Sequence, residues 1–483
     1  MTSRMIRFLA AAAVAALLLV SCSRTQPPAA RPNIVFILID DMGYTGPSSF
    51  GNQHVETPHI DSLARDGMKF TAAYVQPQCS PTRATLLTGQ HTARTNMWHV
   101  VGNYGYPWAA MREPEYARNL PRDLPTFAQR LQEAGYATGI FGKWHMNINE
   151  DTANGGLAPA AARHYGFDVA DSVRANDTDD KGVRGLTDMA LEFIGARRGG
   201  PFFCFLSHYT VHTAVVAPQE IIDEYLAKGY PPAGPDQNEG QYNATYLAMI
   251  KHLDNETGRL LAFLDAEGLR DDTVVVFLSD NGGVLRCFDN RPFRLGKGTL
   301  YEGGVRVPMI VRWPGVVAPG SECGAPVHAV DFYPTFAEIA GATLPPAADH
   351  PLDGRSFLPL LRGETQEART VYWHAPLYDI RWGATPGGAI RDGDYKLIEF
   401  FGDYLDVEGG NRYVVGPRVE LYSLAEDIGE TRNLAESMPE KRDELLEKLR
   451  AWRESLGARM PEKNPAYDPA RALEETRDIR QYR

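Results

Sequence analysis

Positive charge is scarce in this chain: 49 Lys and Arg stand against 61 Asp and Glu, a formal charge of −12 over 483 residues. No basic stripe offsets it, and such a surface repels nucleic acid. An anionic substrate must therefore be drawn in by locally clustered Lys and Arg rather than by the field of the whole molecule. Cysteine is rarer still, with 5 residues, so no disulfide framework organises the fold. Long apolar runs are missing too, since the run over residues 8–20 falls short of the roughly 20 residues that a bilayer-spanning helix needs. There is no internal repeat. What remains is an ordinary globular composition, 43% hydrophobic, in a chain long enough for two or three domains.

Arg4 and Arg7 precede the apolar run, the layout of a signal peptide, so residues 1–21 read as a leader rather than a fold element. Its end, Leu19-Val20-Ser21-Cys22, resembles the bacterial lipobox, which implies cleavage before Cys22 and a lipid anchor on its thiol. A plain secretory signal with an incidental cysteine is the alternative. Ser23, rather than Asp, follows, as in the pattern for outer-membrane retention. The expectation is an exported, lipid-anchored bacterial protein, periplasmic or at the outer membrane, with residues 22–32 as a Pro-rich tether. Cys204 lies in an apolar run and reads as core, whereas Cys287 and Cys323 can pair only if the fold brings them together.

Short apolar runs alternate with amphipathic stretches, the pattern of an α/β domain on a central sheet, here over residues 33–365. Residues 33–39 end in Asp40-Asp41, 137–141 lead into Gly142-Lys143-Trp144-His145, 202–206 lead to His208, and 273–278 end in Asp280-Asn281. Open α/β sheets place their sites at the C-terminal ends of strands. Helical spacing marks residues 124–134, stopped by Gly135, and 242–266, followed by Gly268. Strand-like stretches at 389–401 and 419–424 predict a small α+β subdomain over 366–456. Its last helix is announced by a capping box of Ser437 and Glu440 and buries Leu445, Leu446, Leu449, Trp452 and Leu456. The tail, 457–483, either wraps the surface or is loose.

Asp40-Asp41 and Asp280-Asn281 offer only oxygen donors, which suits a hard cation such as Ca²⁺ or Mg²⁺ rather than zinc. Cys79 opens a helix with Pro81 in its first turn, and a helix N-terminus presents N–H groups and partial positive charge to an anion. Lys143 and His145 share one face of an extended segment. Each pattern alone also reads as a turn, a cap, a core histidine or a solvated lysine.

Taken together, these strings resemble a known family. Cys79-Ser80-Pro81-Thr82-Arg83-Ala84-Thr85-Leu86-Leu87-Thr88-Gly89 resembles the signature of the formylglycine-dependent sulfatases, arylsulfatase-like members of the alkaline phosphatase superfamily. Gly142-Lys143-Trp144-His145 is similar to their second signature, and further matches begin at Lys297, Arg391 and Glu420, so the resemblance runs from about Asn33 to Trp452. It implies an alkaline-phosphatase-like α/β fold, a central mixed sheet flanked by helices, with a smaller C-terminal α+β subdomain. It also implies that a formylglycine-generating enzyme oxidises Cys79, and that Asp40, Asp41, residue 79, Asp280 and Asn281 hold Ca²⁺, with Mg²⁺ kept open. In the implied reaction a gem-diol hydroxyl at residue 79, held by Arg83, attacks sulfur. Lys143 and Lys297 stabilise the sulfuryl oxygens, His212 protonates the leaving alcohol, and His145 assists the elimination. His212 stands in Val211-His212-Thr213-Ala214, where the family often has Pro in place of Ala214. His208 is a further candidate substrate contact. The implied substrates are sulfate esters of sulfated sugars, with the sugar set by loops 97–118, 146–185 and 284–296. The alternatives are a phosphonate monoester or phosphodiester hydrolase of the same superfamily, or a catalytically dead glycan-binding lipoprotein.

Overall fold

Adjacent strands of one large sheet carry the polar strand ends picked out above. The computed structural model describes residues 31–100, 105–197, 199–234, 242–406 and 412–476. The leader and Cys22 lie outside them. From Pro32 onward the chain forms one compact unit. Its main sheet has nine strands: β1 (Asn33–Ile39), β2 (Met68–Tyr74), β3 (Ala137–Gly142), β4 (Val169–Asp171), β5 (Phe202–Ser207), β6 (Thr273–Ser279), β7 (Arg306–Arg312), β8 (Ser321–Cys323) and β9 (Val327–His328). The order is β8-β2-β7-β6-β1-β5-β3-β4, with β9 also on β2. The run β6-β1-β5-β3-β4 is parallel, whereas β7 is antiparallel to both neighbours. This is a mixed sheet.

Side chains alternate across β1, and both of its faces are buried, which is why the strand reads as an unbroken apolar run. Ile34, Phe36 and Leu38 pack on one side with Phe332, Phe336 and Leu131. Val35, Ile37 and Ile39 pack on the other with Leu247, Ile250 and Leu253 of the helix Ala244–Ala266. Each fully buried aliphatic chain contributes roughly 1.5–3 kcal/mol of transfer free energy, against the entropy of ordering it.

Helix starts differ from the periodicity. The first begins at Phe127, because Thr126 and Gln129 form a capping box, and Leu124 lies ahead of it. The second begins at Ala244, where the Asn243 side chain accepts the Tyr246 N–H at 2.9 Å. The last helix is Pro439–Ser455, with Met438 at its cap position and Pro439 in its first turn, so Glu440 is one residue too early to close a box. Ser437 instead donates to the Leu434 carbonyl. Leu445 and Leu449 are buried on that helix, but Leu446, Trp452 and Leu456 are only partly covered, and Trp452 stacks on Tyr372. The described cysteines, Cys79, Cys204, Cys287 and Cys323, are all thiols.

The C-terminal region builds an antiparallel sheet from Thr370–Ala375, Gly387–Asp392, Tyr395–Phe400 and Arg418–Ser423. It shares a core with the larger domain, through Tyr74, Leu300, Trp373, Ile398 and Tyr422. The described part of the tail wraps the surface, pairing Glu462 with Arg112 and Thr476 with Gly105.

A buried ion cluster ties the two regions together. Lys396 Nζ lies 2.8 Å from Glu302 and 3.1 Å from Glu430, all three fully buried. Burial works against it, but Lys396 and Arg306 bring the Glu302 carboxyl down to about 2, while burial pushes Glu430 up to about 7. Lys396→Met should cost about 3–5 kcal/mol, because it strands the buried Glu430 and leaves Glu302 with Arg306 alone as its ion-pair partner. Glu430 then binds its proton more tightly folded than unfolded, so the variant should regain stability as pH falls from about 7 to about 4.5. Urea unfolding across pH checks both. A variant as stable as the parent at pH 8 would show that the cluster contributes nothing.

Candidate active site

Because β6, β1, β5 and β3 are consecutive and parallel, Asp280, Asp40, His208 and Lys143 all emerge at one edge of the sheet. Beyond β1 the chain turns sharply. Asp41 takes a left-handed φ of 64°, rare for a residue with a Cβ, and its N–H donates to Asp280 Oδ1 at 3.1 Å. His145 has a φ of 55°. Strained backbone of this kind gathers at functional sites, where surrounding contacts hold it.

The helix Cys79–Thr88 is buried along its whole length and aims its first residue at this edge. The Cys79 thiol donates to Asp40 Oδ1 at 3.3 Å and lies 3.6 Å from Asp41 Oδ1. One turn on, Arg83 grips Asp280 Oδ2 with Nε at 3.0 Å and Nη2 at 2.7 Å. Its Nη1 bonds the Lys143 carbonyl at 2.8 Å and Ser207 Oγ at 2.6 Å. Lys143 Nζ sits 2.6 Å from Asp40, and Lys297 Nζ is 2.7 Å from both Asp41 oxygens and 3.5 Å from the Cys79 sulfur. Three cations and three carboxylates therefore meet in a pocket almost closed to water.

Burial raises the Asp40 carboxyl, yet Lys143, then His212 and Arg83, hold it well below the usual range. Burial and the neighbouring Asp40 push Asp280 up to about 6. Burial, Asp280 and Asp40 drive the Cys79 thiol well up. Burial and Lys297 hold His212 down at about 4, and burial and Lys143 hold His145 well below its ordinary value. His212 Nδ1 contacts the Thr213 carbonyl, which can only accept, so Nε2, 3.7 Å from Asp41, is the ring nitrogen turned to the site. The Nδ1 of His145 is buried with no hydrogen-bond partner among the described residues.

The donor set fits a hard divalent cation. One ligand atom from each of Asp40, Asp41, Cys79 and Asp280 lies within 4.8 Å of the others. Asn281 donates Nδ2 to Asp41 at 2.8 Å, and its buried Oδ1 has no partner among the described residues. With the formal charges of Asp40, Asp41 and Asp280 offset by Arg83, Lys143 and Lys297, a divalent ion would leave the pocket net positive, suited to an anion.

The structure thus brings together Asp40, Asp41, Cys79, Arg83, Lys143, Asp280, Asn281 and Lys297, with His145 and His212 at the rim. It does not bring His208, which is 1% exposed, with burial pressing its imidazole down to about 3. Two side chains join the set unannounced. Ser207 accepts from Arg83, and the buried Lys181 donates to the Ala214 carbonyl at 2.9 Å, bracing the loop that carries His212 where the family often has proline.

Comparison with known proteins agrees with this geometry. The sulfatase family model matches residues 32–342, and the model described as N-sulphoglucosamine sulphohydrolase, C-terminal, matches residues 293–455. A sulfatase of Formosa agariphila is 32% identical over 522 residues, covering 90% of this chain and 91% of the relative. Mouse (Mus musculus) steryl-sulfatase is 29% identical over 562 residues, covering 93% and 86%. The solved structure of Ps i-CgsB in complex with k-i-k-neocarrahexaose aligns with a TM-score of 0.70 at 24% identity, over 94% of this chain and 97% of the other, a likeness of fold. Matched over most of its length, with an acidic, cation-lined pocket at the strand ends, the chain belongs to the sulfatase family of the alkaline phosphatase superfamily and is a sulfuric ester hydrolase.

Proposed function

We propose that the enzyme hydrolyses sulfate esters of sulfated sugars with an aldehyde-derived nucleophile at residue 79 and a divalent metal, Ca²⁺ before Mg²⁺. The observation that carries the reading is the placement of the Cys79 side chain: it opens a helix with its sulfur 3.3 Å from Asp40, 3.6 Å from Asp41 and 3.5 Å from Lys297, at the meeting point of three carboxylates and three cations. Hydrated formylglycine at that position would supply the oxygen nucleophile, and a metal held by Asp40, Asp41, Asp280 and Asn281 would supply positive charge. Lys143 and Lys297 neutralise the sulfuryl oxygens, and Arg83 fixes Asp280 and the strand ends around them. An anionic ester beside His212 raises that imidazole's pKa, so His212 takes up a proton as substrate binds and gives it from Nε2 to the leaving alcohol oxygen. His145, held neutral, is suited to accept a proton at Nδ1 in the step that releases sulfate. Carbohydrate as substrate is supported by the oligosaccharide in the complex of the similar Ps i-CgsB.

The roles of the histidines are separable. His212→Ala should lose about 10²–10⁴-fold on sugar sulfates, whose alkoxides leave badly, and far less on nitrophenyl sulfate. His145→Ala should hurt both substrates alike. Steady-state rates on the two substrate types, with aryl phosphonate and phosphodiester as further arms, decide it. Equal losses for His212→Ala would remove it as the acid, and faster turnover of the phosphorus esters would reassign the enzyme's preference.

We also propose, on the leader and its Leu19-Val20-Ser21-Cys22 end, that the enzyme is exported and tethered by lipid on Cys22. Mass analysis of the mature N-terminus should show it beginning at an acylated Cys22; a mature chain that begins elsewhere, or carries an unmodified Cys22, would contradict the anchor.

A further inference from the structure

Beside the pocket, loop 284–296 and the C-terminal region meet at Trp382, which ends the turn Ile380–Trp382 and is partly exposed. Gly298, at φ +90°, lets the indole close on the Lys297 segment: a Cβ there would lie 2.7 Å from Trp382 Cβ. Lys297 Nζ is 5.8 Å from the centre of the indole, and the Arg286 guanidinium carbon is 5.3 Å from it. Arg381 lies 5.9 Å away, tied down by Asp379 at 3.0 Å and Glu475 at 3.1 Å. Asp379 in turn accepts from Gln78 Nε2 at 2.8 Å, one residue before Cys79.

The cations differ in how they are satisfied. Lys297 is committed to Asp41, and Arg381 to two carboxylates. Arg286 is exposed, and its indole contact is accompanied by no hydrogen bond or ion pair to any described residue. A guanidinium held in cation–π range of an indole has less rotamer freedom left to lose when its donors meet carboxylate or sulfate oxygens. In a chain of net charge −12, an uncompensated arginine next to the reacting centre is an anion contact that the global field cannot supply.

We propose that Arg286, seated on Trp382, binds a second anionic group of the substrate, so the enzyme selects sugars that carry another carboxylate or sulfate near the ester it cleaves. The inference rests on the sulfatase reading above and adds the substrate class. Trp382 is a positioning residue in it, and Arg286 is the contact.

The test compares kcat/KM for a neutral monosulfated sugar with that for the same sugar bearing a uronic carboxylate and, separately, a second sulfate. The parent enzyme should favour at least one of the dianionic forms by about 10- to 100-fold, the scale of a charge-assisted hydrogen bond. Raised salt should shrink the ratio. Arg286→Gln and Trp382→Ala should bring it close to one, Arg286→Lys should restore it only in part, and melting curves should show all three variants folded. A parent ratio near one in both arms, or a ratio that survives Arg286→Gln, overturns the proposal. Absence of turnover of any sulfate ester, nitrophenyl sulfate included, by the matured, metal-replete parent would overturn the reading beneath it as well.

Discussion

Cys79→Ala should bring sulfate-ester hydrolysis down to background, a loss on the order of 10⁴-fold or more, because it removes the group that bonds to sulfur and leaves only positioning and charge. The fold should survive. Alanine keeps the helix start and loses only one buried atom, whose interactions are long bonds to Asp40, Asp41 and Lys297. Rates on nitrophenyl sulfate, set beside a melting temperature within a few degrees of the parent, check the two halves. Substantial turnover in the alanine variant would mean that another group attacks sulfur.

Metal removal should be nearly as severe. Stripping the enzyme with a chelator is expected to cost about 10³-fold or more in kcat, with recovery on adding Ca²⁺ or Mg²⁺ and little on adding Zn²⁺, since the set offers three carboxylates and no imidazole, and conversion of Cys79 to an aldehyde replaces its one sulfur with oxygen. Asp280→Ala is a poor probe by itself, because it leaves Arg83 buried and unpaired at a cost of about 3–5 kcal/mol. Asp280→Asn keeps the shape and weakens the site. Elemental analysis should show less bound metal in Asp280→Asn, and added Ca²⁺ should raise the melting temperature of the parent more than that of the variant. Full activity in a chelated, metal-free enzyme would remove the ion from the account.

What could be read in advance follows from how local each determinant is. Strands that are buried on both faces write themselves as continuous apolar runs, and the sheet order then puts their polar ends side by side, so Asp40, Lys143 and Asp280 were legible before any fold was known. Helix starts were less so. Ser437 and Glu440 have the letters of a capping box, but Pro439 sets the first turn one residue later. His208 has the right letter directly after a strand, yet the Leu38 carbonyl takes its N–H and the ring is buried away from solvent. Lys181, Trp382 and Arg286 carry no local motif at all. Their part depends on which distant segment each meets: the Ala214 carbonyl for Lys181, Gly298 for Trp382, and Trp382 for Arg286.

The central claim is that residue 79 acts as an aldehyde rather than as a thiol, and peptide mass mapping of active enzyme tests it most directly. The tryptic peptide containing residue 79 should be lighter than its cysteine form by one H₂S less one oxygen atom, and the fraction so altered should track specific activity across preparations. Fully active enzyme in which every such peptide carries an unmodified thiol would contradict the account.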